Sequence, residues 1–310
     1  MQDAFLSFKN HLRSLREEGE PELHERVDLR AWTAIGVGGP SDLLVRCRSA
    51  DGVQRVLDLL AAHGLTWLSL GAGSRLVPPD RGLRVPVLNL SGGLGLWGLE
   101  VDGVVAGAGA NMAQVCRAAA RAGLSGIEPL AGLSDSVGGA IKAAVDGHLS
   151  LAGILDWVDT ASPGSPPKRF RPRAKGRGQR GLRLDLQRRL ILRARFKLAG
   201  DGLPAIQART EESGRERLRQ QPRSAAPVFV DPKGERAERI LEASGCLGMS
   251  VAGVRMSEGA PNRICVSRTA RAADVVELCR QVAQRVEEWS GVVLHPALRF
   301  VDEEGAEIEL

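Results

Sequence analysis

Two glycine-rich turns, each fed by a strand, set the strongest limits on what this chain can fold into. The first is Gly71-Ala72-Gly73-Ser74, reached through the short apolar run from Leu65 to Leu70. Upstream, residues 41–48 alternate as a strand. Residues 51–63 then take helical spacing through Val53, Val56, Leu57 and Leu60, with Ser49 placed to cap the helix and Gly64 to stop it. The segment reads as a β-α-β unit ending in a turn without bulky side chains, where backbone N–H groups can approach phosphate oxygens. A tight turn of purely structural use has the same sequence, so this motif does not decide alone.

The second turn lies roughly sixty residues downstream, after a strand expected over 104–110 and a helix over 112–122. It runs through Gly132 and the sequence Leu133-Ser134-Asp135-Ser136-Val137-Gly138-Gly139-Ala140. Two such backbone sites suggest two walls around one extended ligand. Further apolar spacing predicts an entry helix over 4–16 and a helix over 272–289 with Val275, Val276, Leu278, Cys279, Val282 and Val286 on one face.

Composition narrows the class. The chain has 310 residues, 43% hydrophobic and 25% charged, enough for two or three domains with real cores. Its first residues lack the pattern of a secretory signal, and no run of about 18 apolar residues occurs, so a cytoplasmic protein is expected. Cys47, Cys116, Cys246, Cys265 and Cys279 form no C-x-x-C pair; they read as buried hydrophobes in a reducing compartment, with no metal site expected. His148 and His295 are isolated in the sequence and read as structural or exposed, and Trp67, Trp97, Trp157 and Trp289 read as core packing.

Charge is uneven. The formal net charge is +5, yet from Lys168 to Lys197 there are thirteen Lys or Arg and one acid, Asp185. Such a run suits RNA, an anionic membrane or a phosphorylated cofactor; the plainer reading is a solvated basic loop followed by an edge strand. Residues 164–181, rich in Pro, Gly, Arg and Lys, read as a mobile insertion.

Several segments together resemble the UDP-N-acetylenolpyruvoylglucosamine reductases of bacterial peptidoglycan synthesis. Thr33-Ala34-Ile35-Gly36-Val37-Gly38-Gly39-Pro40 is similar to the family's opening Thr-x-x-x-x-Gly-Gly-Pro, and Gly71-Ala72-Gly73-Ser74-Arg75-Leu76 to its Gly-Gly-Gly-Ser-Asn-Leu flavin diphosphate loop. Residues 106–140 follow its Ala-Gly-Ala-Gly-Ala, Ala-Gly-Leu-Ser-Gly, Leu-Ala-Gly and Val-Gly-Gly-Ala in order. Ser257-Glu258 and Asn262-Arg263-Ile264-Cys265-Val266 resemble its Ser-Glu-Lys-His-Ala-Asn-Phe-Ile-Val segment. The resemblance implies an α+β fold, with a two-lobed FAD-binding module of the vanillyl-alcohol oxidase type and a C-terminal α+β substrate-binding domain. The expected divisions are an N-terminal helix at 1–25, lobes at 26–70 and 71–200, and the third domain at 201–310.

The same resemblance implies FAD held by Gly71, Ala72, Gly73, Ser74, Arg75, Leu76, Gly132, Ser136, Val137, Gly138, Gly139 and Ala140, with NADPH as its reductant in an active member. In the family the flavin gives a hydride to the enolpyruvyl group, an acid protonates the neighbouring carbon, and an arginine and a glutamate manage the carboxylate charge. Here the donor serine of Gly-Ser-x-Phe-Lys-Asn-Pro falls on Pro227, its lysine and asparagine on Val230 and Asp231, and the glutamate on Ala297. Arg183, in Gly181-Leu182-Arg183, resembles the arginine of Gly-Tyr-Arg. Asp146 enters the position of a glycine in the family's Asn-Ala-Gly, and Arg75 replaces an asparagine.

Proline has neither a side-chain proton nor an N–H, so the expectation is a catalytically impaired or inactive homologue that keeps flavin or nucleotide binding. Two alternatives stay open. One is an active reductase with a substitute donor, Ser224 or Ser257; the other is a protein that binds a polyanion through 168–197.

Overall fold

The computed structural model describes residues 2–17, 20–90, 93–175, 181–186, 188–219 and 227–310. The chain opens with α1 (Gln2–Glu17), β1 (Glu22–Asp28), β2 (Pro40–Arg46), α2 (Ala50–Ala62), β3 (Leu68–Leu70), β4 (Leu76–Val77) and β5 (Val87–Asn89). There follow β6 (Trp97–Glu100), β7 (Gly103–Gly107), α3 (Met112–Arg121), β8 (Leu124–Ser125) and α4 (Val137–Asp146). Next come β9 (Leu155–Ser162), β10 (Ser165–Phe170), β11 (Arg173–Ala174), β12 (Leu182–Arg183), β13 (Leu190–Lys197), β14 (Ala199–Gly200) and α5 (Leu203–Arg219). The last part holds α6 (Ala237–Ala243), β15 (Ser250–Val251), β16 (Val254–Met256), β17 (Ile264–Val266), α7 (Ala272–Ser290) and β18 (Arg299–Phe300).

Two compact units share this chain, and they are interleaved along it. The first comprises 1–25, 43–72 and 85–216; the second comprises 26–42, 73–84 and 217–310. Residues 26–42 and 73–84 belong with the C-terminal residues, rather than following the divisions at 70 and 200, because Ile35, Val37 and Val77 join the second hydrophobic core.

In the first unit, parallel pairing of β2 and β3 with β5 sets Leu44 and Leu68 opposite Val87. Crossover helix α2 begins at Ser49, whose side chain accepts the Gly52 amide, as its sequence position predicts. A five-stranded sheet in the order β10-β9-β13-β7-β6 carries α2, α3 and α4 packed on it. Alternation along β13 buries Ala194 and Phe196 completely while Arg193 and Arg195 turn to the other face.

Three readings of this region are corrected. Residues 165–170 are a strand paired with β9, not part of a mobile insertion. The strand that follows, β13, is the centre of the sheet and β10 its edge, because β13 finds partners in both β7 and β9. Trp97 and Trp289 are 40% and 56% exposed, so neither is a core residue. Trp157 is buried, but under guanidinium groups: Arg169 stacks 3.7 Å above its ring.

The second unit wraps α7 against β15 and β16, with α6 beside it. The apolar face expected for α7 is the one it buries, through Val275, Leu278, Cys279, Val282 and Val286. Asp80 accepts the Ala272 and Ala273 amides at 2.8 and 3.0 Å and so closes the helix's first turn.

Candidate functional site

The apolar strand β3 delivers the chain into Gly71. Asn89, 1% exposed at the end of β5, donates to the carbonyls of Leu70 at 3.0 Å and Gly71 at 3.3 Å, fixing the entry to the turn. A Cβ on Gly71 would lie 2.3 Å from Ser136 Oγ. The two glycine segments expected to face one ligand are thus in contact at this point. Gly73 has φ +66°, and a Cβ there would lie 2.1 Å from the Trp32 carbonyl oxygen, so only glycine fits without a backbone shift. Ala72 is exposed, Ser74 and Arg75 are half-buried, and Leu76 is buried at the start of β4.

The second segment does not offer its amides as expected. Val137 N–H donates to the Ala110 carbonyl at 2.9 Å, Gly138 N–H to Ala108 at 2.8 Å, and Gly139 N–H to Ser136 Oγ at 3.2 Å. Ala140 N–H makes the first helical bond, to Ser136. The N-terminus of α4 is therefore satisfied within the protein, and it serves as a rigid wall rather than as an anion nest. Gly132 is half-buried, in a turn that the Leu133 amide closes onto the Leu130 carbonyl. Asn111, which sequence reasoning passed over, bridges to Ser136 and caps α3 by accepting from Gln114 N–H at 3.0 Å; its place after Ala-Gly-Ala and before a helix was the available signal.

Asp146 does not crowd this region. It sits at the last position of α4, about 14 Å along the axis from Val137 by the helical rise, and Lys142 holds its carboxylate at 2.6 Å. Glu128 is 4% exposed in the Ser-Gly-x-Glu segment. Burial pushes its carboxyl up, but its own amide, the Gly126 amide, the Ser125 hydroxyl and Arg209 together bring it below the usual carboxylate range.

In the second unit a set of backbone and side-chain hydrogen bonds fixes the segment that follows Pro227. Val228 N–H donates to the Asn262 carbonyl at 3.1 Å, and the Asn262 amide side chain exchanges both its hydrogen bonds with Phe229. Ala297 N–H donates to the Val228 carbonyl at 2.7 Å, and Val230 N–H to His295 at 2.9 Å. The positions matched to the proton donor and to the glutamate are thus neighbours, and neither carries a titratable group. Asp231 accepts the Ala237 amide at 2.9 Å, so its carboxylate caps α6 and is not an added charge aimed at a ligand. Ser257 is 5% exposed and its hydroxyl accepts the Ala260 amide at 3.1 Å. Ser224 lies outside the described residues.

Arg183 stands exposed on β12, directly opposite Arg173. Among the described residues no three His, Cys, Asp or Glu side chains gather as a metal site, and no helix is long and apolar enough to cross a membrane.

The glycine turn held by Asn89 and the wall of α4 define the first unit as a flavin-type nucleotide fold, and residues 41–159 match the family model described as FAD binding domain. Residues 217–301 match that of the UDP-N-acetylenolpyruvoylglucosamine reductase, C-terminal domain. The UDP-N-acetylenolpyruvoylglucosamine reductase of Acidiphilium cryptum is 31% identical over 91% of this chain and 93% of its own length. That of Granulibacter bethesdensis is 31% identical over 86% and 87%. The crystal structure of the reductase from Thermus caldophilus superimposes with a TM-score of 0.74 at 30% identity, covering 91% of this chain and 99% of that one. This chain belongs to the UDP-N-acetylenolpyruvoylglucosamine reductase family.

Proposed function

We propose that the protein binds FAD and a UDP-sugar of peptidoglycan synthesis but does not complete the family's reduction. Support for the cofactor comes from the loop itself. Gly71 and Gly73 leave no room for side chains, Asn89 fixes the turn, and Arg75 follows it as a cation suited to a diphosphate. The matched FAD binding domain points the same way. FAD bound there would supply hydride transfer from NADPH to the enolpyruvyl group. The protein's own part is to hold the cofactor through residues 71–76, to exclude bulk with the α4 wall, and to deliver a proton to the neighbouring carbon.

That last task carries the conclusion. Ala297 N–H on the Val228 carbonyl makes Pro227 and Ala297 neighbours, and between them they provide neither a proton nor a charge. A general acid contributes about 10²- to 10⁴-fold in rate, and stabilisation of developing charge a comparable factor. Val230 adds an apolar side chain where the pattern has lysine.

The test has two stages. Protein purified without added cofactor should be yellow, with flavin absorption bands that NADPH bleaches. The same protein given the enolpyruvyl UDP-sugar and NADPH should show no turnover above the rate of free flavin. Turnover at rates typical of the family would overturn the reading and restore the active reductase with a substitute donor.

A further inference from the structure

The basic run from 168 to 197 does not act as one patch, because Arg169, Arg171, Arg193 and Arg195 are already matched by carboxylates. Arg169 and Arg193 both bind Asp159, at 2.7 and 2.9 Å. Arg171 and Arg195 bind Asp156, and Arg195 also reaches Glu100 at 2.7 Å. All these acids lie on β6 or β9, outside the run.

One part of the run differs. Arg173 and Arg183 are cross-strand partners in the ribbon of β11 and β12, and so are Ala174 and Leu182. Leu182 is 3% exposed in the first core, so alternation puts Arg183 and Arg173 together on the opposite face, where both are exposed. Lys175 shares that face, two positions from Arg173; its ammonium donates to the Val145 carbonyl in the last turn of α4 at 2.9 Å. Gly181, whose carbonyl accepts the Lys175 amide at 3.0 Å, packs on the same turn of α4: a Cβ there would lie 2.9 Å from the Ala144 and Val145 carbonyl oxygens, so this end of the ribbon is anchored and the two arginines carry the site. Among the described residues no carboxylate pairs with Arg173 or Arg183. Directly opposed like charges destabilise a strand pair, and a ribbon of two-residue strands has little to offset the cost. An anion between the two guanidinium forks removes the repulsion and satisfies both.

We propose that Arg173 and Arg183, with Lys175 at the edge, form a binding site for one small phosphate-type dianion. Among the motifs that carry the family resemblance, Gly181-Leu182-Arg183 includes Arg183, and none includes Arg173. The site does not depend on flavin binding and so stands or falls separately from it.

The test is calorimetric titration of the full chain with inorganic pyrophosphate at low salt, and with a short single-stranded RNA. The wild type should bind pyrophosphate. Arg173→Gln and Arg183→Gln should each weaken that binding roughly 10- to 100-fold, as expected for losing one charge-assisted hydrogen-bonding partner. Arg171→Gln, whose partner is Asp156, should bind as the wild type does. Without anion, Arg173→Gln should melt no lower than the wild type, which separates lost binding from lost folding. Its visible spectrum should match the wild type's, whether or not that shows flavin. Absence of pyrophosphate binding by the wild type would overturn the proposal. So would equal losses in all three variants, or RNA binding that all three weaken alike, since either marks a general polyelectrolyte face.

Discussion

The Ala297 amide donates to the Val228 carbonyl at 2.7 Å, which joins the segment after Pro227 to the one after His295. A serine and a glutamate at these positions would be neighbours; a proline and an alanine there supply neither a proton nor a charge. Restoring the proton should therefore restore part of the chemistry. Pro227→Ser, a change at a half-buried position, is expected to raise NADPH-dependent turnover of the enolpyruvyl UDP-sugar about 100-fold over the wild-type background, the lower end of what a general acid contributes. Steady-state NADPH oxidation reads the result, and an unchanged rate in a folded, flavin-loaded variant would count against the assignment of Pro227.

Gly73→Ala should cost both stability and cofactor. The new methyl would meet the Trp32 carbonyl at 2.1 Å from a backbone with φ +66°, and left-handed backbone costs a non-glycine residue about 1–2 kcal/mol before any clash. The expected outcome is a lower melting temperature and a lower ratio of flavin to protein absorbance. A variant that keeps a full flavin complement would remove this loop from the cofactor site.

Asp159 links stability to pH. Its bond to Arg169, opposed by burial and helped by Arg193, holds the carboxyl below the ordinary range. A depressed folded-state value means the contribution is complete above the unfolded value of about 3.9 and disappears as pH falls through the folded one. Asp159→Asn should thus destabilise by about 1–3 kcal/mol at neutral pH, with the gap to wild type closing as the pH falls below the ordinary carboxylate range and through the lowered folded-state value. Urea midpoints across this pH range measure it, and a constant gap would refute the coupling.

Thiol chemistry offers an independent check on the cores. Burial pushes Cys116 and Cys279 up to about 12, and burial with the nearby Glu20 charge does the same for Cys47; burial also raises Cys246. Thiolate is the reactive form, so a disulfide reagent at about pH 8 should label the native protein at Cys265 only, the one half-buried thiol of the five. Denaturant should release the rest, and rapid native labelling of Cys116 or Cys279 would contradict the packing.

Local spacing carried much of this in advance. Ser49, the face of α7 and the turn at Gly71 were legible because caps, helical period and turn chemistry are short-range signals. The relationships that matter most elsewhere were not. Asn89 reaching Gly71, Arg169 covering Trp157 and Arg173 facing Arg183 all depend on strand register, which brings together residues 10 to 18 positions apart in sequence and leaves no periodic trace. The spent amides of Val137 and Gly138 were equally hidden, since the motif Val-Gly-Gly-Ala looks the same whether its N–H groups face a ligand or the Ala108 and Ala110 carbonyls. Composition also misled over 165–170, because arginine and proline in an edge strand resemble those of a loop until the carboxylates of β9 are seen beneath them, while residues 176–180 of the expected insertion lie outside the described residues.

The interleaving of the two units bears on how the protein is made. Ile35, Val37 and Val77 leave the ribosome well before Val228, Phe229, Leu278 and Phe300, which complete their core. Those early apolar segments stay uncovered until these later residues are made, a period in which uncovered apolar surface invites aggregation or chaperone capture. A message cut short after residue 200 would yield a chain with that surface permanently bare, so the C-terminal third acts as a completion signal for segments made long before it.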